Sequence, residues 1–245
     1  YGNKVYSADT SFTWSVSDAL GTIDADGTFT AVQTGKDVTG TLTVTCGETS
    51  CTLPVTVGSS QPFDDTKGHW AESYITELYY AGTLQGSEKN GKLYYRPDAS
   101  MTRQEFIVAM MRYLGTDLSA YASVQLPFDD SGSIASWAKS AMQAAYQLGY
   151  LTGSKTNGKL LAKPGSTISR QEAMTILSRT KDFADADLNV LSAFSDSGKI
   201  ADWARTALAQ MTQQKIISGS KGKLNPTGKV TRAEVAKMLY MLSES

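Results

Sequence analysis

The chain has 245 residues, 41% of them hydrophobic and 19% charged, which suits one large domain or two smaller ones and excludes a disordered chain. A net charge of −1 excludes the global basic field that draws proteins to nucleic acid or to anionic membranes. No run approaches the roughly 18 apolar residues of a membrane span, so neither nucleic acid nor membrane insertion is expected. The charge is unevenly spread. Residues 1–60 carry two lysines and six acids, and residues 61–245 carry 21 basic and 18 acidic residues, which fits two modules. The chain starts at Tyr1 rather than Met, so the lack of an export signal says nothing about location.

Residues 5–58 are rich in Thr, Val and Gly, and four short alternating runs read as strands: FTWSVSD, GTFTAVQ, GTLTVTC and CTLPVTVG. The Asp-Gly of DADGTF (24–29) predicts a hairpin turn; a calcium loop would need later ligands that do not follow. Cys46 and Cys51, the two cysteines of the chain, lie between two strand runs. A disulfide between them is feasible and would suit an exported protein, with two reduced thiols as the competing reading. A C-x4-C pair is too sparse for zinc. The progression VSD, IDADGTFTAV and GTLTVT resembles the bacterial immunoglobulin-like domains of surface proteins, which implies a small all-β module over 1–58. The polar residues 59–62 read as a linker.

After the linker the period becomes helical, as in WAESYITELYYAG (70–82) and RQEFIVAMMRYLG (103–115). The pattern also repeats. Phe-(Asp/Ser)-Asp opens each unit at Phe63, Phe128 and Phe194, and a tryptophan follows at Trp70, Trp137 and Trp203, spaced by 67 and 66 residues. Sixteen residues on comes a Gly-Ser pair: Gly86 and Ser87, Gly153 and Ser154, Gly219 and Ser220. Prolines 97, 164 and 226 come next, and five residues beyond each stands Thr102, Ser169 or Thr231. Each unit reads as helix, glycine-containing loop, helix, and the span from Gly to Pro is eleven residues in two units and seven in the third. A single helical pair cannot bury its apolar face, so the three units are expected to share one axis.

These motifs (FDD with HW, GTLQGS, RPDASMTRQE and GKLNPTGKVTRAE) resemble the S-layer homology family over about 63–242. The resemblance implies a multidomain chain: the immunoglobulin-like module, then an all-α pseudo-threefold bundle of three repeats at 63–126, 127–192 and 193–245. It further implies non-covalent anchoring of an exported protein to the bacterial envelope. The implied ligand is a pyruvylated secondary cell-wall polysaccharide bound in grooves between repeats. Gln104 and Gln171 stand where the family's Thr-Arg-Ala-Glu motif has alanine.

The helix starts can be read without the family. Thr102 with Glu105, Ser169 with Glu172 and Thr231 with Glu234 form capping boxes. Arg103, Arg170 and Arg232 sit at the first helical position, where a cation opposes the macrodipole by some tenths of a kcal/mol up to ~1. An anion bound beside them would make use of the misplaced charge, because a guanidinium and a helix start together suit a carboxylate. The alternative is an ion pair within the fold, for instance to Asp65, Asp130 or Asp196. Trp70, Trp137 and Trp203 serve either packing or sugar stacking. Gly86, Gly153 and Gly219 allow the chain to leave the first helix, with close approach of a glycan as a further reading. Ser87, Ser154 and Ser220 suit either a turn or hydrogen bonds to a sugar. All of these except the capping residues form the candidate ligand-binding set.

Catalysis has little support. His69 is the sole histidine, and adjacent acids in FDD cannot flank a scissile bond at the ~5–10 Å that glycosidases need. No catalytic residue, metal site (Asp182, Asp185 and Asp187 included) or cofactor is expected in this stretch, and an upstream catalytic module stays open. The expectation is a monomeric, secreted, cell-wall or S-layer-associated anchor. Direct peptidoglycan binding, or a self-assembly or protein-interaction scaffold without a glycan ligand, are the alternatives.

Overall fold

A computed structural model describes residues 11–245, so the first ten residues of the expected strand module lie outside the described residues. The chain divides after Pro62 into two compact units.

The first unit holds β1 (Thr13–Val16), β2 (Gly21–Ile23), β3 (Phe29–Ala31), β4 (Val38–Cys46) and β5 (Thr49–Val57). One antiparallel sheet has the order β1-β4-β5, and β2 and β3 form a separate hairpin. Asp24 and Asp26 both accept from the Thr28 backbone N–H, so DADGT is a turn with its acids spent on its own backbone. Pro54 lies on β5, an edge strand, where a missing N–H does little harm. Among the described residues of this unit Leu20 is the single buried hydrophobic side chain. The expected all-β immunoglobulin-like module is therefore corrected: alternation of Thr and Val predicts strands, but among the described residues they form one three-stranded sheet and one two-stranded hairpin. Nor does a disulfide join the cysteines. The register sets Cys46 against Thr49 and Cys51 against Val44, so the two are diagonal rather than opposite. Ser59 and Ser60 donate to Asp37 Oδ1 and to the Thr34 carbonyl, which ties the start of the linker to this unit.

The second unit contains α1 (Glu72–Tyr80), α2 (Arg103–Tyr113), α3 (Lys139–Gln147), α4 (Arg170–Leu177), α5 (Arg205–Gln213) and α6 (Arg232–Ser243), two per repeat. The first helix of each repeat packs on the second helix of the preceding one: α3 on α2, α5 on α4, and α1 on α6, which closes the circle. Tyr74 and Tyr240 meet across that last seam with ring centroids 5.0 Å apart. At the axis the three segments before the capping residues form a ring of backbone hydrogen bonds. Met101 N donates to Val230 O, Val230 N to Ile168 O, and Ile168 N to Met101 O. Around this ring lies one continuous core that includes Phe106, Met110, Met142, Met174, Leu208 and Leu239.

The bundle is not all-α. The hairpin of β6 (Ser87–Lys89) and β7 (Lys92–Tyr94) fills the first loop, and that of β8 (Ser154–Thr156) and β9 (Lys159–Leu161) fills the second. Asn90, Gly91, Asn157 and Gly158 all have positive φ, the conformation of a type I′ turn, and Asn-Gly is its strongest sequence signal. The third repeat keeps only a Ser220–Lys223 bridge in its shorter loop. Short 3-10 turns also replace helix where Trp137 and Trp203 stand. The molecule is thus mixed α and β.

Candidate functional site

At each second helix the capping box is complete, as the Thr/Ser-x-x-Glu spacing predicts. The remaining helix-start donors are already engaged. Arg103 N and Gln104 N donate to Ser166 O and Pro164 O of the next repeat, Arg170 N and Gln171 N to Gly228 O and Pro226 O, and Arg232 N and Ala233 N to Ala99 O and Pro97 O. No backbone donor is left at these helix starts to face an anion. The helix-end half of the expected anion site is thereby corrected, because its donors are spent between repeats.

The arginine side chains also reach into the next repeat, but to three different ends. Arg103 donates from Nε to the Ala162 carbonyl and from Nη1 to Glu172, both at 3.0 Å. Arg170 donates from Nη1 to Glu234 at 3.0 Å, while its Nε is buried without a partner. Among the described residues Arg232 meets no carboxylate. Its Nε donates to Tyr95 O at 2.7 Å, its Nη2 to Gln85 O at 2.8 Å, and its Cζ lies 4.5 Å above the Tyr95 ring. Burial lowers the affinity of Arg103 and Arg170 for their protons, opposed by Glu172 and Asp130 for the former and by Glu234 for the latter. Burial pushes Glu172 up, yet hydrogen bonds from Ser169 and the charges of Arg103 and Lys229 outweigh it and hold the carboxyl below the usual range. Burial also pushes the Tyr95 phenol well up, against the pull of Arg232, so it stays a neutral donor to the Arg232 carbonyl.

These side chains line three grooves, each assembled from all three repeats. The Trp137 groove (about 300 Å³) holds Arg232 of repeat three, Gly86 and Glu105 of repeat one, and the tryptophan of repeat two. The Trp203 groove (about 290 Å³) holds Arg103, Gly153, Glu172 and Trp203. The Trp70 groove (about 650 Å³) holds Arg170, Gly219, Glu234 and Trp70. The tryptophans are 56–57% exposed at all three places, so core packing does not account for them. Ser154 and Ser220 reach their linings.

Two expectations fare differently. Asp65, Asp130 and Asp196 neither line a groove nor pair with an arginine. Each carboxylate accepts two backbone N–H bonds where the loop strand ends: Tyr95 and Arg96, Ala162 and Lys163, Leu224 and Asn225. The second residue of each pair has positive φ (59°, 52° and 53°), so the aspartate clamps a backbone turn that L-residues resist. The glycines sit under the Phe rings of their own repeats. A Cβ would lie 2.4 Å from Phe63 Cε1 at Gly86, 2.6 Å from Phe128 Cε1 at Gly153 and 2.8 Å from Phe194 Cε1 at Gly219.

Sequence reasoning missed several groove residues. Arg112 and Arg179, each nine positions after a helix-start arginine, line the Trp137 and Trp203 grooves. Lys221, Lys223 and Lys237 line the third. The recurrence of Arg112 and Arg179 at one offset was a usable signal, as was that of Lys155 and Lys221 two positions after the repeat glycine, whereas Lys237 recurs nowhere in register. Gln104 and Gln171, the departures from the alanine pattern, accept from Ala135 N and Ala201 N and so secure the tryptophan-bearing turn of the next repeat. Ala233 cannot do this for the Trp70 turn. Among the described residues no group of three His, Cys, Asp or Glu side chains is placed to hold a metal, and no helix is long and apolar enough to cross a membrane.

A closed ring of repeats with a basic, aromatic-edged groove at every seam defines a repeat-built binding module. The S-layer homology domain model matches residues 62–107, 127–174 and 193–236, over half of the sequence, and the chain belongs to that family. Its domain is a binding and anchoring module, not a catalytic one. Similar proteins include an amylopullulanase of Thermoanaerobacterium thermosulfurigenes, 30% identical over 187 residues (74% of this chain, 9% of the relative). The exoglucanase XynX of Acetivibrio thermocellus is 29% identical over 189 residues (76% and 16%). The surface-layer 125 kDa protein of Lysinibacillus sphaericus is 27% identical over 192 residues (74% and 15%). The chain spans less than a fifth of the length of each of these relatives.

Proposed function

We propose that residues 63–245 anchor an exported protein non-covalently to the outside of a bacterial cell by seating an anionic, pyruvylated wall polysaccharide in the seams between repeats. The observation that carries this reading is the pairing, at every seam, of an exposed tryptophan with a guanidinium drawn from a different repeat. An indole face suits a sugar ring, and an arginine fork suits a ketal carboxylate. Three seams on one polymer add avidity that no single seam supplies. The name of the surface-layer relative and the large size of the enzyme relatives support a cargo elsewhere in the same polypeptide, catalytic or adhesive, with residues 63–245 as its tether.

The test is co-sedimentation of the full chain with purified cell walls before and after chemical removal of pyruvate. Sedimentation should be lost with the pyruvate. Binding that survives it supports direct peptidoglycan recognition instead, and no binding to either wall leaves self-assembly as the role. Changing the ligand is preferable to truncating all three arginines, because Arg103, which is buried, and Arg170, which is largely buried, are ion-pair members. Their loss would leave Glu172 and Glu234 uncompensated and confuse folding with binding.

A further inference from the structure

The three seams share a plan but not a charge state. In the Trp203 and Trp70 grooves a carboxylate already stands against the arginine: Glu172 on Arg103 and Glu234 on Arg170, each at 3.0 Å. The glutamate at the same place in the Trp137 groove, Glu105, does not touch Arg232. Its Oε2 accepts from the Thr102 N–H and hydroxyl, and no ion pair joins it to Arg232 among the described residues. Arg232 is nonetheless fixed. Two backbone carbonyls hold Nε and Nη2, and the Tyr95 ring, where the other repeats have Ala162 and Leu224, lies under the guanidinium. Nη1 donates to nothing among the described residues, although Arg112 and Arg96 add further positive charge to the same groove.

From this asymmetry we infer that the Trp137 groove is the primary carboxylate site of the molecule, and that Glu172 and Glu234 act as built-in competitors in the other two grooves. The inference rests on the anionic-ligand reading above. An incoming carboxylate at Arg232 meets a pre-positioned, uncompensated fork. At Arg103 or Arg170 it must displace or crowd a resident carboxylate of like charge, so much of the gain is cancelled. The lysines of the Trp70 groove attract anions too, but as mobile, hydrated point charges whose pull fades with salt. The Trp137 groove therefore binds first and with the least salt dependence, and the other two fill at higher ligand concentration.

Calorimetric titration of the full chain with a methyl glycoside of pyruvylated N-acetylmannosamine tests this at 0.15 M and 0.5 M salt. The wild-type chain should show one tight site, and Arg232→Gln should weaken it by about ten- to a hundredfold. Arg232→Lys, which keeps the charge and loses the fork, should recover only part. Glu172→Gln and Glu234→Gln, which retain a capping acceptor, should each raise the number of tight sites by one. Thermal melts of the same samples check that the variants are folded. A tight site that survives Arg232→Gln, or glutamine variants that gain no site, overturns the assignment while leaving the anchoring reading standing. A wild-type chain that binds no pyruvylated sugar overturns both.

Discussion

At the scale of single residues, two carboxylates that hold the fold, Glu172 and Asp196, are kept ionised by their partners. Glu172 is held below its ordinary value near 4.5 despite burial. Asp196 likewise stays low, because hydrogen bonds from Leu224 and Asn225 and the charge of Lys199 outweigh desolvation. A depressed carboxyl binds fewer protons folded than unfolded, so its contribution is present above the unfolded value and is lost as pH falls through the folded one. The melting temperature should therefore decline as pH drops below about 4.5, the unfolded value. Glu172→Gln should flatten part of that slope and lower the melting temperature at pH 7; a slope unchanged by the substitution would show that this ion pair is not coupled to folding. The capping roles of Glu105, Glu172 and Glu234 were legible in sequence because a capping box is local, four residues long. The destinations of Arg103 and Arg170 were not. Their partners lie 69 and 64 residues away, and only the closed geometry brings them together.

Between the residue and the whole stand the elements, and here the loops were harder to read than the helices. Apolar positions at helical spacing located the helices, since burial of one face follows directly from the period. The loops carried an Asn-Gly signal at 90–91 and again at 157–158, yet each hairpin is only three residues per strand, too short to show alternation. The tryptophans were left open in sequence between packing and sugar stacking. They stand beside helices with apolar neighbours, but 3-10 turns rotate Trp137 and Trp203 outward. What anchors these loops is the contact of glycine with phenylalanine. Gly153 combines φ of +72° with a Cβ position 2.6 Å from Phe128 Cε1, and the ring is 3% exposed with little room to retreat. Gly153→Ala should therefore lower stability by about 1–3 kcal/mol in denaturant melts. Gly158→Ala, strained by its φ of +77° but with open space around it, should lower it less.

For the molecule as a whole, stability depends on closure. α6 docks on α1 across most of the length of the second unit, and the axial ring needs Val230 as much as Met101. Contacts between the two ends of a chain form late and slow its folding. Deleting residues 232–245 should abolish the cooperative helical melt followed by circular dichroism, not merely remove one helix from it. A truncated chain that still melts sharply would show that five helices suffice.

The way each groove draws on three repeats has a consequence for copy number. Removing repeat one takes away the Trp70 indole, the Arg103 fork and the floor of the Trp137 groove in a single step, and removing either other repeat does equivalent damage. A chain of two such repeats keeps none of the three sites rather than two of them. Repeat number in this architecture cannot drift by single losses without passing through a form that has no complete groove, unless a second molecule lends the missing third.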